Sequence, residues 1–201
     1  MGIVERRERE REAVRRKILD AARDLFARDG YDKVTMRAIA DGIEYSPTTI
    51  YNHFEDKEDL VEALCHEDFA RLFAALTADG LPADPIERIR QLGRAYARFA
   101  LAYPNHYRFM FMTAKMPDHK LNPEDPGSRA FQLLRDAVAE AAQGGRLRSG
   151  NPDTIAQVVW SSLHGATALL VTYGPDKFPC VPAAPDLIEQ TCENALRGWL
   201  A

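Results

Sequence analysis

The sharpest periodicity in the chain is at Ile18, Ala21, Ala22, Leu25 and Phe26, spaced i, i+3, i+4, i+7 and i+8. That spacing predicts one apolar face of a helix, stopped near Asp29-Gly30. The elements then shorten. Thr35 has the chemistry of an N-cap, Ile39 and Ala40 give the next helix an apolar side, and Gly42 is expected to end it in the left-handed conformation. Ser46 caps a second short helix, with Pro47 at its first position and the helix running to about His53. One side of this helix is small and polar (Thr48, Thr49, Asn52), and the other carries Ile50 and Phe54. A short helix with a polar outer face held by one apolar face suits the major groove of DNA.

Longer helices follow. Glu55 or Asp56 caps the next, whose apolar side is Leu60, Val61, Leu64, Phe69, Leu72, Phe73 and Leu76, ending before Gly80-Leu81-Pro82. Asp84-Pro85-Ile86-Glu87 opens another, with Ile89, Gly93, Tyr96, Ala97, Ala100 and Leu101 inward, closed at Tyr103-Pro104. A short aromatic helix covers Tyr107 to Met112, and 115–128 reads as a loop. Ser128 to Gln143, Asn151-Pro152 to about Tyr173, and Asp186 to Leu200 are the last helices, with a proline-rich connection over 175–185. No segment sustains alternation of period two, so the fold class is all-α.

Composition narrows the picture. A chain of 201 residues, 46% hydrophobic and 28% charged, builds one or two domains with a real core. No apolar run approaches the ~18 residues of a membrane span, and Met1 to Glu12 is charged rather than signal-like. Cys65, Cys180 and Cys192 are odd in number and lack metal-ligand spacing, which predicts a reduced cytoplasmic setting, no metal and no cofactor. The net charge is −4, and between Ala13 and Asp56 seven basic residues, Arg23 among them, face eight acids. Affinity for DNA then depends on local placement: Arg37, Lys57, helix N-termini and hydroxyls. Along Met1 to Lys17 the basic residues could form an arm near the DNA backbone, but Glu5, Glu8, Glu10 and Glu12 interleave with them, which favours a solvated, frayed helical tail.

The stretch from Ile18 to Leu64, above all Thr49-Ile50-Tyr51-Asn52-His53-Phe54-Glu55-Asp56-Lys57-Glu58-Asp59-Leu60, resembles the TetR family of bacterial transcriptional regulators. The resemblance implies an N-terminal three-helix helix-turn-helix DNA-binding domain with its arm over 1–56, and a C-terminal helical ligand-binding and dimerisation domain over 57–201. It implies DNA contact at Thr35, Arg37, Thr48, Thr49, Tyr51, His53 and Lys57, and Pro47 and Asn52 share the presented face. Side-chain chemistry sorts these residues. Arg37 and Asn52 can grip guanine and adenine edges, and Thr48 and Thr49 can reach a base or a thymine methyl. Thr35, Tyr51, His53 and Lys57 suit phosphate.

Trp160, His164 and Gly165 resemble the tryptophan–histidine–glycine signature of one C-terminal domain class of the same family. The last two helices would then form a four-helix interface with a second copy, through Ser161, Gly165, Ala168, Leu169, Leu196 and Trp199. Aromatic residues suggest an apolar pocket: Tyr96, Phe99, Tyr103, Tyr107, Phe109, Phe111, Phe131 and Trp160, with His164 as a polar anchor.

The expected protein is a homodimeric DNA-binding regulator and not an enzyme: Ser161 and His164 have no nucleophile elbow or evident acid. It is expected to bind a near-palindromic double-stranded operator, to be a repressor because most of the family repress, and to be released by a small apolar effector. An activator, or a helical small-molecule-binding dimer with a vestigial helix-turn-helix, stays open at this level, the latter favoured by the acidic balance.

Overall fold

The computed structural model describes residues 2–113, 122–148, 150–174 and 184–201. Residues 115–121 of the expected 115–128 loop, most of the 175–185 connection, and Cys180 lie outside them, and residues 126–128, expected in the loop, are helical. The helices are α1 (Ile3–Asp29), α2 (Met36–Gly42), α3 (Pro47–Tyr51), α4 (Lys57–Thr77), α5 (Pro85–Ala102) and α6 (Pro104–Arg108). A π-helical turn (Phe109–Thr113), α7 (Pro126–Gln143), α8 (Pro152–Tyr173) and α9 (Ala184–Arg197) complete the order. Among the described residues there is no strand, only one antiparallel bridge between Leu147 and Leu200. The protein is all-α.

The chain forms two compact units, Met1–Asp68 with Asn105–Lys120, and Phe69–Pro104 with Leu121–Ala201. The division falls inside α4, whose first turns belong to the first unit.

The first unit is organised around the apolar face of α1. Ile18, Ala22 and Phe26 are fully buried, as are Ile39 of α2, Ile50 of α3, and Leu60 and Leu64 of α4. Each of the isoleucine, leucine and phenylalanine side chains contributes roughly 1.5–3 kcal/mol. Phe26 stacks on Phe109 at 5.6 Å and on Tyr31 at 5.9 Å between ring centroids. Tyr107 and Phe109 are completely enclosed here. α1 also reaches further toward the N-terminus than its apolar stripe requires. Residues 4–13 are exposed, and Arg6 pairs with Glu10 at 2.8 Å, one turn apart.

The turn between α2 and α3 differs from expectation. Gly42 is the last helical residue, and the left-handed position falls on Glu44, at φ 60°. The N–H of Tyr45 reaches the carbonyl of Ala40 (3.0 Å) and that of Glu44 reaches Asp41 (3.3 Å). This is a Schellman closure, and its left-handed site lies two residues beyond the last helical one. Hydrogen-bond register, not residue preference, set its place.

The second unit packs α5 against α7, α8 and α9. A Cβ on Gly93 of α5 would meet Leu163 of α8 at 3.0 Å and Cys192 of α9 at 3.7 Å, so three helices converge on a missing side chain. Arg90 pairs with Glu193, and Arg94 with Glu189 (3.2 Å) and Glu87, tying α5 to α9 along the rim. Leu101, expected inward, is 38% exposed at the helix end. α8 is long and apolar enough to cross a membrane by length and composition, with mean hydropathy 1.3, although polar residues interrupt its apolar run. Its Ile155, Ala156, Val159, Leu163, Leu170 and Val171 serve the unit's core.

Candidate nucleic-acid interface

α3 has five residues, too few to hold as an isolated helix. Its frame supplies the rest. Thr35 Oγ1 accepts from the Ala38 N–H (3.1 Å) and fixes the start of α2. Ser46 Oγ accepts from the Thr49 N–H (3.3 Å), and Pro47 needs no donor at the first position. Ile50 and Phe54, 0% and 2% exposed, anchor the inner side. Asp56 Oδ1 accepts from the Asp59 N–H and Asp59 Oδ2 from the Glu55 N–H, both at 2.8 Å, which fixes the entry to α4.

This frame sorts the expected DNA residues. Pro47, Thr48, Tyr51 and Asn52 are exposed together along α3 and its C-terminal end, and Thr35 and Arg37 are exposed at the start of α2. Tyr51 is 54% exposed, too open for a core packing role. Among the described residues Arg37 has only a loose partner, Asp41 at 4.0 Å, and its side chain is 83% exposed. Thr49 is half-buried and shares a 3.0 Å hydrogen bond with the Ser46 hydroxyl, so its oxygen is already engaged in the cap.

Lys57 is turned inward. Its ammonium donates to the Tyr31 carbonyl and sits 3.9 Å over the Tyr31 ring. Burial lowers its pKa, with Asp32 and Glu58 opposing. Tyr31 in turn donates its hydroxyl to Glu58 at 3.0 Å. This group of contacts holds the start of α4 to the end of α1, and nothing in local sequence announces it.

His53 is half-buried. Burial lowers its pKa, and the nearby charges of Arg11 and Arg15 add to that while Glu12 opposes. Arg23, counted among the basic residues of this region, is not available to DNA. It is 3% exposed and its guanidinium bonds to both carboxylate oxygens of Asp68 at 3.0 Å and to Asp20 at 2.7 Å. Burial works against its charge, but the two aspartates outweigh it and raise its pKa. His106 Nδ1 completes the cluster 2.8 Å from Asp68 Oδ1.

The expected ligand residues divide between the units. In the second, His164 shares a 2.9 Å hydrogen bond with the Tyr96 hydroxyl, Trp160 lies 5.2 Å from His164, and Phe131 meets Trp160 edge-on at 6.3 Å. Burial lowers the His164 pKa. Phe99 and Tyr103 form a separate pair at the end of α5, at 5.5 Å. Tyr107, Phe109 and Phe111 belong to the first unit, and the full burial of Tyr107 and Phe109 leaves no ring face for a ligand. Cys65 and Cys192 are buried thiols with pKa pushed up to about 12, chiefly by burial, and so are chemically quiet.

On the outer side of α8, Ser161, Gly165 and Leu169 are exposed, Ala168 is half-buried, and among the described residues a Gly165 Cβ would meet nothing within 4 Å beyond its own chain neighbours and helix backbone. An open groove of about 580 Å³ runs between α8 and α9, lined by Val158, Ser162, Thr191, Asn194, Ala195, Gly198 and Trp199. Leu196 is fully buried within its own unit.

Residues 18–64 match the family model described as bacterial regulatory proteins of the tetR family. Residues 89–188 match a tetracyclin repressor-like C-terminal domain. The HTH-type transcriptional repressor AcnR of Corynebacterium diphtheriae is 31% identical over 170 residues, 80% of this chain and 82% of that protein. The chain belongs to the tetR family. It is a DNA-binding transcriptional regulator rather than an enzyme, and the helix-turn-helix over α2 and α3 is the family's DNA-reading motif. Solved tetR structures share the fold: a regulator from Marinobacter aquaeolei VT8 superposes with TM-score 0.74 at 20% identity, over 96% of this chain and 98% of that one. The regulator FadR from Bacillus subtilis, in complex with stearoyl-CoA, superposes with TM-score 0.72 at 18% identity, over 90% and 97%.

Proposed function

We propose that this protein is a cytoplasmic, homodimeric repressor that leaves its operator when a small apolar effector binds. The observation that carries the reading is the joint exposure of Arg37, Pro47, Thr48, Tyr51 and Asn52 on a frame fixed by the Thr35 and Ser46 caps. Residues 1–56 bind DNA; residues 57–201 bind effector and dimerise, with the first turns of α4 completing the core of the DNA-reading unit. Arg37 and Asn52 read base edges, with Thr48 on a base or thymine methyl. Thr35, Tyr51 and His53 hold phosphate. Lys57 acts through the Tyr31 latch, setting the angle at which α3 is presented.

The second copy docks on the outer face of α8 and the groove toward α9, where Ser161, Gly165 and Leu169 allow close approach and Trp199 lines the seam. Two recognition helices then meet half-sites about 34–36 Å apart, or a multiple of that spacing. The effector site is built around Tyr96, Phe131, Trp160 and His164. That the FadR fold is known with stearoyl-CoA supports an apolar or acyl ligand. Effector binding favours a spacing of the helices that no longer fits the operator, a shift of population between two arrangements.

The test is an electrophoretic mobility shift on the DNA beside the protein's own gene, with non-specific competitor. A discrete competitor-resistant band is expected. Arg37→Ala and Asn52→Ala should each weaken it by about 1–3 kcal/mol while leaving the fold intact. Wild-type affinity in both variants would remove the base-reading assignment.

A further inference from the structure

The N-terminal extension of α1 carries seven basic residues and four acids before Ile18, and the helix sorts them by face. On one side the charges are spent internally. Arg6 pairs with Glu10 at 2.8 Å, and Arg9 donates to the Glu5 carbonyl at 3.3 Å. On the other, Arg7, Arg11 and Arg15 recur at i, i+4 and i+8 and form one stripe with rungs about 6 Å apart. Among the described residues, none of these three holds an ion pair or hydrogen bond. The stripe runs into the DNA-reading face: Arg15 lies over the Phe54 ring at 5.3 Å, and Arg11 and Arg15 act together on His53 at the C-terminal end of α3. Glu12, which also acts on His53, is the acid that opposes them.

We propose that the exposed part of this stripe, Arg7 and Arg11, tracks the phosphate backbone of duplex DNA flanking each half-site, continuing the interface that His53 begins. The inference rests on the DNA-binding reading. Three features favour DNA as the occupant: the sign of the charge, its lack of internal partners, and its continuity with the α3 face. They also explain how a region with more acids than bases holds DNA. The cations are few, but the helix gathers them on one line. Phosphate contacts of this kind are indifferent to sequence and strongly dependent on salt.

The experiment compares the wild-type full chain with R7Q/R11Q and with R6Q/R9Q, which removes the same charge from the opposite face. Binding is followed by fluorescence anisotropy on a labelled 40-base-pair duplex of arbitrary sequence and on the DNA beside the protein's own gene, across a salt series. Circular dichroism and melting check that both variants keep their helices. R7Q/R11Q removes four contacts per dimer, so the slope of log K against log salt should become shallower by about 3–4 on both duplexes. R6Q/R9Q should leave the slope near wild type. Equal loss in the two variants would mean that only net charge acts, and an unchanged slope in R7Q/R11Q would mean that the stripe meets no phosphate; either overturns the proposal. A wild-type protein that binds neither duplex would instead overturn the DNA-binding reading, and this inference with it.

Discussion

Arg23 of α1 and Asp68 of α4 form an ion pair at 2.9 Å in which the two side chains are 4% and 0% exposed. Neither charge is tolerable there alone. Removing the carboxylate leaves a buried guanidinium with only the exposed Asp20 to answer it, so Asp68→Ala should cost about 3–5 kcal/mol of stability. Asp20→Ala, which touches the same arginine from a side chain 62% exposed, should cost about 1 kcal/mol or less. Denaturant unfolding of the two variants separates them. Equal effects would show that Asp68 has no special role.

Glu44 holds a left-handed conformation at the turn between α2 and α3, and it is an acid beside the DNA face. Glycine at this position relieves the Cβ strain. Glu44→Gly should therefore raise stability by about 0.5–1 kcal/mol and also tighten DNA binding at low salt by removing a negative charge. Thermal unfolding and a salt titration measure the two effects separately. A lower melting temperature would mean that the turn relies on the glutamate side chain.

The proposed phosphate contact of His53 predicts that DNA binding depends on pH. Its pKa is lowered in the free protein, first by burial and then by Arg11 and Arg15. A phosphate beside the ring favours the imidazolium and raises the pKa in the complex, so binding takes up a proton. Affinity should rise as pH falls from about 7 toward 6, and His53→Gln should flatten that rise. Stability has the opposite sign. His53 and His164 are both depressed in the folded state, so the unfolded chain protonates first, and each subtracts stability as pH falls below about 6.5.

If the second copy docks on α8 as proposed, two glycines separate folding from assembly. Gly93→Ala places a Cβ 3.0 Å from Leu163 in a packed interior and should cost about 1–3 kcal/mol. Gly165 faces open space, and Leu169 beside it is 47% exposed. Leu169→Glu or Gly165→Glu should leave the folded protomer intact by circular dichroism and split the dimer in analytical ultracentrifugation. A dimer that survives both changes would place the interface elsewhere.

What the sequence determined by itself was local. The caps at Thr35, Ser46, Asp84 and Asn151, the proline at the first position of α3, α5 and α8, and the apolar stripe of α1 act within a few residues of one another. Their geometry needs no distant partner. The exposed part of the DNA face was legible for the same reason, since a helix with one apolar side must present the other. Tertiary structure decided what depends on residues far apart in the chain. Arg23 looks like any basic residue until Asp68, 45 positions away, draws it inward. Lys57 suits phosphate until the Tyr31 carbonyl and ring claim its ammonium. Tyr107 and Phe109 resemble pocket linings until the second is stacked on Phe26 and both are sealed in the core of the DNA-reading unit. In each case the side chain has two chemically adequate environments. A partner on a distant segment, whose pairing or packing offsets the cost of leaving water, selects between them, and local preference does not.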